Sequence, residues 1–150
     1  MKILTSQQLI GSFADWPLHM QRSIELAATV FNTTPNPRVG CVIVKDGQIV
    51  GEGWHSAAGQ KHAEIVALER AGELANSSTA FVSLEPCAHT GRTPPCTKAL
   101  ISAGIGQVVI ASVDPDERVS GRGIAALESA NIEVFQLKDF DEKARAINPG

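Results

Sequence analysis

The chain has 150 residues, 43% hydrophobic and 19% charged, values ordinary for a globular protein, so disorder is not the expectation. Its formal charge of −3 gives no general field for drawing in nucleic acid, and its three cysteines, an odd count, argue against a disulfide framework and for a reducing cytoplasm. No stretch approaches the roughly 18 apolar residues of a membrane span, and the opening residues hold no apolar run of signal-peptide length, so a soluble, unexported protein with no membrane partner is expected.

Residues 1–14 carry no clear period and receive no assignment. Asp15, with Pro17 in the first turn, opens a helix whose apolar residues Met20, Ile24, Ala27, Ala28 and Phe31 recur at steps of three and four, the stripe of a core-packed helix. Thr34-Pro35-Asn36-Pro37 ends it, because each proline lacks an amide donor and disfavours α geometry in the residue before it. Val39 to Val44 then reads as a strand, Asp46-Gly47 as a two-residue hairpin turn and Gln48 to Trp54 as the returning strand. Cys41, inside the first of these, reads as a small buried hydrophobe. Asn36 and His55 stand in loops flanking the strands, where side chains are placed to contact a substrate; the plainer reading is of exposed or backbone-bonded loop residues.

His62-Ala63-Glu64 opens a helix that runs through Ile65 to Ala71 and ends near Asn76-Ser77-Ser78. Thr79 to Leu84 is a short strand leading into Glu85-Pro86-Cys87, and Cys96 precedes a helix beginning Thr97-Lys98-Ala99. Zinc favours nitrogen and thiolate ligands, and a catalytic zinc takes three from the protein and keeps a fourth position for water. His62, Cys87 and Cys96 make three, for one ion per chain. Glu64 is left over. Positions i and i+2 lie about 200° apart around a helix, so His62 and Glu64 converge only over its end, which puts the metal at the helix N-terminus, where the dipole favours thiolate and hydroxide. A carboxylate that is not a ligand, beside an acidified water, is what hydrolysis of a carbon–nitrogen bond needs. The rival is a structural zinc module, with His89 or Cys41 as fourth ligand and Glu64 a plain helix N-terminal acid.

Eight residues separate the two cysteines, and among them Arg92 carries a guanidinium suited to phosphate, against the plainer reading of a solvated arginine; His89 is placed to touch a substrate. Gly104-Ile105-Gly106 precedes a strand instead of linking strand to helix, and is not read as a dinucleotide fingerprint. Gln107 to Val113 is that strand. Gly121-Arg122-Gly123 leads into an Ile124 to Ala130 helix, Ile132 to Phe135 is a last strand, and Asp139 to Ala146 a last helix. Strands and helices alternating after a hairpin predict one domain of three-layer α/β/α architecture, its mixed sheet of about five strands covered on both faces. The order of strands does not follow from the pattern.

His62-Ala63-Glu64 with Pro86-Cys87 and Cys96 resembles the cytidine-deaminase-like zinc deaminases. That signature commonly has two residues between its cysteines, and the longer spacing here, with Thr34 to Val44, Gly53-Trp54-His55 and Leu84 to Cys96 in order, resembles the deaminase domain of bacterial riboflavin biosynthesis over about residues 17–135. Asp114-Pro115 and Gly121-Arg122-Gly123 extend the likeness. The resemblance implies a cytidine-deaminase-like fold and hydrolytic deamination of 2,5-diamino-6-ribosylamino-4(3H)-pyrimidinone 5′-phosphate to the pyrimidinedione, with release of ammonia. It implies zinc on His62, Cys87 and Cys96, Glu64 as proton shuttle, Asn36 and His55 on the base or ribose, and His89 and Arg92 at the phosphate. It also implies self-association. Many members continue into an NADPH-dependent reductase, whereas this chain stops at Gly150, which leaves a stand-alone enzyme partnered by a separate reductase, or a fragment. Deamination of another nucleoside, nucleobase or aminopyrimidine is the alternative.

Overall fold

The computed structural model describes residues 1–29, 38–56, 60–88, 95–116 and 118–148. Among them six strands form one sheet: β1 (Lys2–Leu4), β2 (Gly40–Lys45), β3 (Gln48–Trp54), β4 (Thr79–Leu84), β5 (Gln107–Ser112) and β6 (Glu133–Leu137), in the spatial order β1-β6-β5-β4-β2-β3. β4, β5, β6 and β1 are parallel, while β2 is antiparallel to both its neighbours, β3 and β4. β3 and β4 therefore run the same way, and the sheet is mixed.

The inner strands β2, β4 and β5 are buried on both faces, so their sequences read as apolar runs, but alternate side chains still go to opposite sides. Cys41 and Ile43, Ala80 and Val82, and Val108 and Ile110 face one layer, made by α2 (Ala63–Ala71), α3 (Cys96–Ser102) and α4 (Arg122–Ser129). Val42 and Val44, Phe81, and Val109 and Ala111 face the other, made by α1 (Trp16–Ala28) and α5 (Asp141–Ala146). The layers are the expected α/β/α sandwich, and Cys41 is a fully buried core residue.

One strand more than expected comes from residues 1–14, which the sequence left unassigned. Three of them form β1, in parallel register with β6 through Lys2 on Phe135 and Leu4 on Leu137, and the chain after it is tied down by the Ser6 amide and hydroxyl donating to the Asp139 carboxylate. The last strand runs to Leu137 instead of stopping at Phe135, because the Gln136 side chain is accommodated inside by donating from Nε2 to the Ala111 carbonyl. Asp15 precedes α1 but makes no side-chain capping bond to it. Phe31 and the Thr34-Pro35-Asn36-Pro37 turn lie outside the described residues.

Two features position the site. β3, β4 and β5 run in one direction, so the loops that follow them, leading into α2, α3 and α4, gather at one end of the sheet, the carboxyl end where open α/β sheets place ligands. In addition, α2 lies directly on β3: a Cβ at Gly51 would stand 2.3 Å from the Ala67 carbonyl oxygen, and one at Gly53 2.3 Å from that of Ala63. Among the described residues no helix is long and apolar enough to cross a membrane.

Candidate active site

His62 is the residue before α2, with extended backbone (φ −70°, ψ 160°), and its side chain makes no capping bond to the helix. It turns instead to the thiols: Nδ1 lies 3.3 Å from Cys96 Sγ and 3.9 Å from Cys87 Sγ. Cys87 follows the end of β4 by three residues, and Cys96 is the first residue of α3, where its amide donates to Cys87 Sγ at 3.3 Å. The three donor atoms lie within 4.8 Å of one another. Tetrahedral ligands at ordinary zinc–sulfur and zinc–nitrogen lengths of about 2.3 and 2.0 Å stand roughly 3.5–3.8 Å apart, a spacing that the two Nδ1–Sγ distances bracket. An imidazole and two thiols so placed fit zinc, with His62 offering Nδ1.

Glu64 lies in the first turn of α2 and is 4% exposed. Burial pushes its carboxyl up to about 7, so near neutral pH it is poised between accepting and giving a proton. The placement over the helix end agrees with what the i, i+2 spacing required. The thiols share their proton unequally. The Cys96 thiol beside it, and then His62, draw Cys87 down to about 4, while Cys96 is pushed up by its Cys87 neighbour. The amino ends of α2 and α3 both stand at this cluster, where the positive ends of the helix dipoles favour negative sulfur, and the Cys96 amide donates directly to Cys87 Sγ.

His55, directly after β3, is buried at the back of the same site, its ring edge-on to His62 with centroids 5.1 Å apart. Its amide donates to the Val39 carbonyl, and Nδ1 meets the Lys61 carbonyl at 3.2 Å. A carbonyl only accepts, so Nδ1 carries the hydrogen, and Nε2 of the neutral ring is the lone-pair side. Burial lowers its pKa and keeps it neutral. The structure thus brings together His55, His62, Glu64, Cys87 and Cys96, while Asn36, His89 and Arg92 lie outside the described residues.

Two residues near the site were missed in the sequence. Asn148 exchanges two hydrogen bonds with the backbone of Arg38, accepting from its amide at 2.6 Å and donating to its carbonyl at 2.9 Å, so the C-terminal turn holds the lead-in to β2. Glu85, between β4 and Pro86, is 6% exposed and takes backbone donors on both carboxylate oxygens. A charged residue wedged between an apolar strand and a proline–cysteine pair was the available signal for the second. Nothing local marked the first.

Residues 16–112 match the family described as the cytidine and deoxycytidylate deaminase zinc-binding region. The riboflavin biosynthesis protein RibD of Escherichia coli is 56% identical over 133 residues, covering 88% of this chain and 36% of that protein. The diaminohydroxyphosphoribosylamino-pyrimidine deaminase of Buchnera aphidicola subsp. Acyrthosiphon pisum is 56% identical over 115 residues, 76% of this chain and 78% of that one. The solved structure of Acinetobacter baumannii RibD superimposes with a TM-score of 0.84 at 52% identity, over 87% of this chain and 37% of that chain. The chain spans about a third of the length of the RibD relatives it matches.

Proposed function

The chain belongs to the family of zinc-binding cytidine and deoxycytidylate deaminases, and on that premise we propose that it hydrolyses the amine of 2,5-diamino-6-ribosylamino-4(3H)-pyrimidinone 5′-phosphate, giving the pyrimidinedione and ammonia. The observation that carries the reading is the placement of Glu64, a buried carboxyl in the first turn of α2, beside the His62, Cys87 and Cys96 cluster. Support for the substrate comes from the Buchnera deaminase, whose name states that chemistry and most of whose length this chain matches.

His62, Cys87 and Cys96 would hold one zinc ion, which when bound supplies an acidified water. The Glu64 carboxylate takes a proton from the attacking water as its oxygen bonds to the ring carbon that bears the amine, and passes it to the adjacent ring nitrogen. A second proton, carried by the same carboxyl from the new hydroxyl to the amine, converts the amine into ammonia as the carbon–nitrogen bond breaks, leaving a carbonyl. His55, neutral and fixed by the Lys61 carbonyl, presents Nε2 as an acceptor toward the base or ribose. Asn36 completes that contact, and His89 and Arg92 hold the phosphate. The reading covers the deaminase step alone, in one zinc domain over residues 1–150; a reductase acts as its partner in the next step, and self-association follows the family.

Ammonia release from the zinc-loaded protein tests it, with cytidine and deoxycytidylate as parallel substrates. Release from the ribosylaminopyrimidine phosphate alone is expected. Release only from a parallel substrate would keep the chemistry and overturn the substrate, and a Glu64→Gln protein with full turnover would overturn the role of the carboxyl.

A further inference from the structure

Glu85 carries a network that the deamination chemistry does not use. Its Oε1 accepts from the amides of Asp114 and Gly121, each at 3.1 Å, and its Oε2 from the amides of Gly123 at 2.9 Å and Ile124 at 3.2 Å. Its own amide donates to the Ser112 carbonyl at 2.8 Å, continuing the β4–β5 pairing beyond the end of β4. The four side-chain bonds come from three places: the end of β5, the loop before α4 and the first turn of α4. Pro86, next in sequence, is fully buried, and its carbonyl oxygen lies 2.0 Å from where a Cβ at Gly123 would be, so strand exit and helix start are in main-chain contact.

Cys87 is the next residue. On its far side the Cys87 carbonyl accepts the Thr97 amide at 3.1 Å, and Cys87 Sγ accepts that of Cys96 at 3.3 Å. The segment that presents this sulfur is therefore gripped from two directions, by α3 through its own atoms and by β5 and α4 through Glu85. The carboxylate is specific to the task. An amide in its place would turn an NH2 group toward two of the four donors, and a shorter acid could not span both pairs. Charge-assisted bonds to buried backbone amides are the stronger kind.

We propose that Glu85 is a positioning residue for the metal centre: by binding four backbone amides of the β5–α4 segment it fixes where Cys87 Sγ stands relative to His62 and Cys96. The inference rests on the zinc reading above. Groups that orient metal ligands typically change metal affinity by about 10- to 100-fold when removed, and that is the expected loss here.

The test uses the full chain, stripped of metal and titrated with zinc against a chromophoric chelator, and separately with cobalt(II), whose thiolate charge-transfer bands report the arrangement of the sulfurs. Glu85→Gln and Glu85→Asp are compared with Leu127→Ala, a core truncation in α4 that lowers stability without touching Glu85. The expected result is zinc affinity about 10- to 100-fold weaker and a shifted cobalt spectrum in the Glu85 variants, with kcat falling more than KM changes. Leu127→Ala should lower the melting temperature and leave affinity and spectrum as in the wild type. A folded Glu85 variant, either one, with wild-type zinc affinity and cobalt spectrum would overturn the proposal, as would Leu127→Ala weakening zinc equally at matched stability. Wild-type protein that takes up no zinc, or a Cys87→Ser protein that takes it up undiminished, would overturn the zinc reading as well, so the two failures are distinct.

Discussion

The two faces of the sheet are packed in different ways. On the face toward α1 and α5, the rings of Trp16, Phe81 and Phe135 meet edge-on, with Trp16 5.7 Å from Phe81 and 5.1 Å from Phe135, backed by Met20 and Ile24. On the other face α3 and α4 pack branched side chains such as Leu100, Ile124 and Leu127, but where α2 meets the sheet the contacts are small: Ala63, Ala67 and Ala71, with α2 resting on Gly51 and Gly53. Large rings bury area and stabilise; small residues bring backbones together and leave little freedom of placement. The residues of the proposed metal cluster all belong to the second face. His62 and Glu64 are located by main-chain contact between α2 and β3, which no change of rotamer can loosen.

That division can be tested by loading each face in turn. Glu64→Gln should lower kcat about 10²- to 10⁴-fold while zinc uptake and the melting temperature stay near wild type, since it removes chemistry and no packing. Phe81→Ala, on the aromatic face, should cost about 3–5 kcal/mol in denaturant unfolding, with zinc affinity of the folded fraction unchanged. Gly53→Ala should cost less in stability, about 1–3 kcal/mol, yet weaken zinc, because the added methyl pushes α2 off β3 and carries His62 with it. Equal zinc affinities in Phe81→Ala and Gly53→Ala would break the comparison.

The smallest effect concerns His19, half-buried beside Phe81 with ring centroids 5.2 Å apart. Burial lowers its pKa from 6.5, although Asp15 opposes the change. The unfolded imidazole then binds more protons than the folded one, so stability rises with pH: it is fully present above 6.5 and is lost as pH falls from there through the lower folded-state value. His19→Gln should flatten the stability profile below pH 6.5, and a profile identical to wild type there would remove His19 from the account.

What was legible in the sequence was local. The hairpin at Asp46-Gly47, the apolar runs of β2, β4 and β5, and the ligand types of His62, Cys87 and Cys96 each depend on a few neighbouring residues. The place of the cluster at the amino end of α2 followed from helix geometry alone. β1 was invisible because three residues show no period and its partner stands at the other end of the chain. Glu85 and Asn148 were missed for a related reason: their meaning lies in backbone amides and carbonyls, which the side-chain pattern does not record, contributed by segments distant in sequence.

β1 also has a consequence in time. Its pairing with β6 is secured by Ser6 and Asp139, 133 residues apart, against neighbours such as β2 and β3 that meet across a two-residue turn. Closing so long a loop is entropically expensive and gains little until the rest of the sheet exists. The hairpin is thus expected early and the margin late, and in the interval β6 presents a bare hydrogen-bonding edge to any other chain nearby. The three residues of β1 are the ones that end the chain's most aggregation-prone moment.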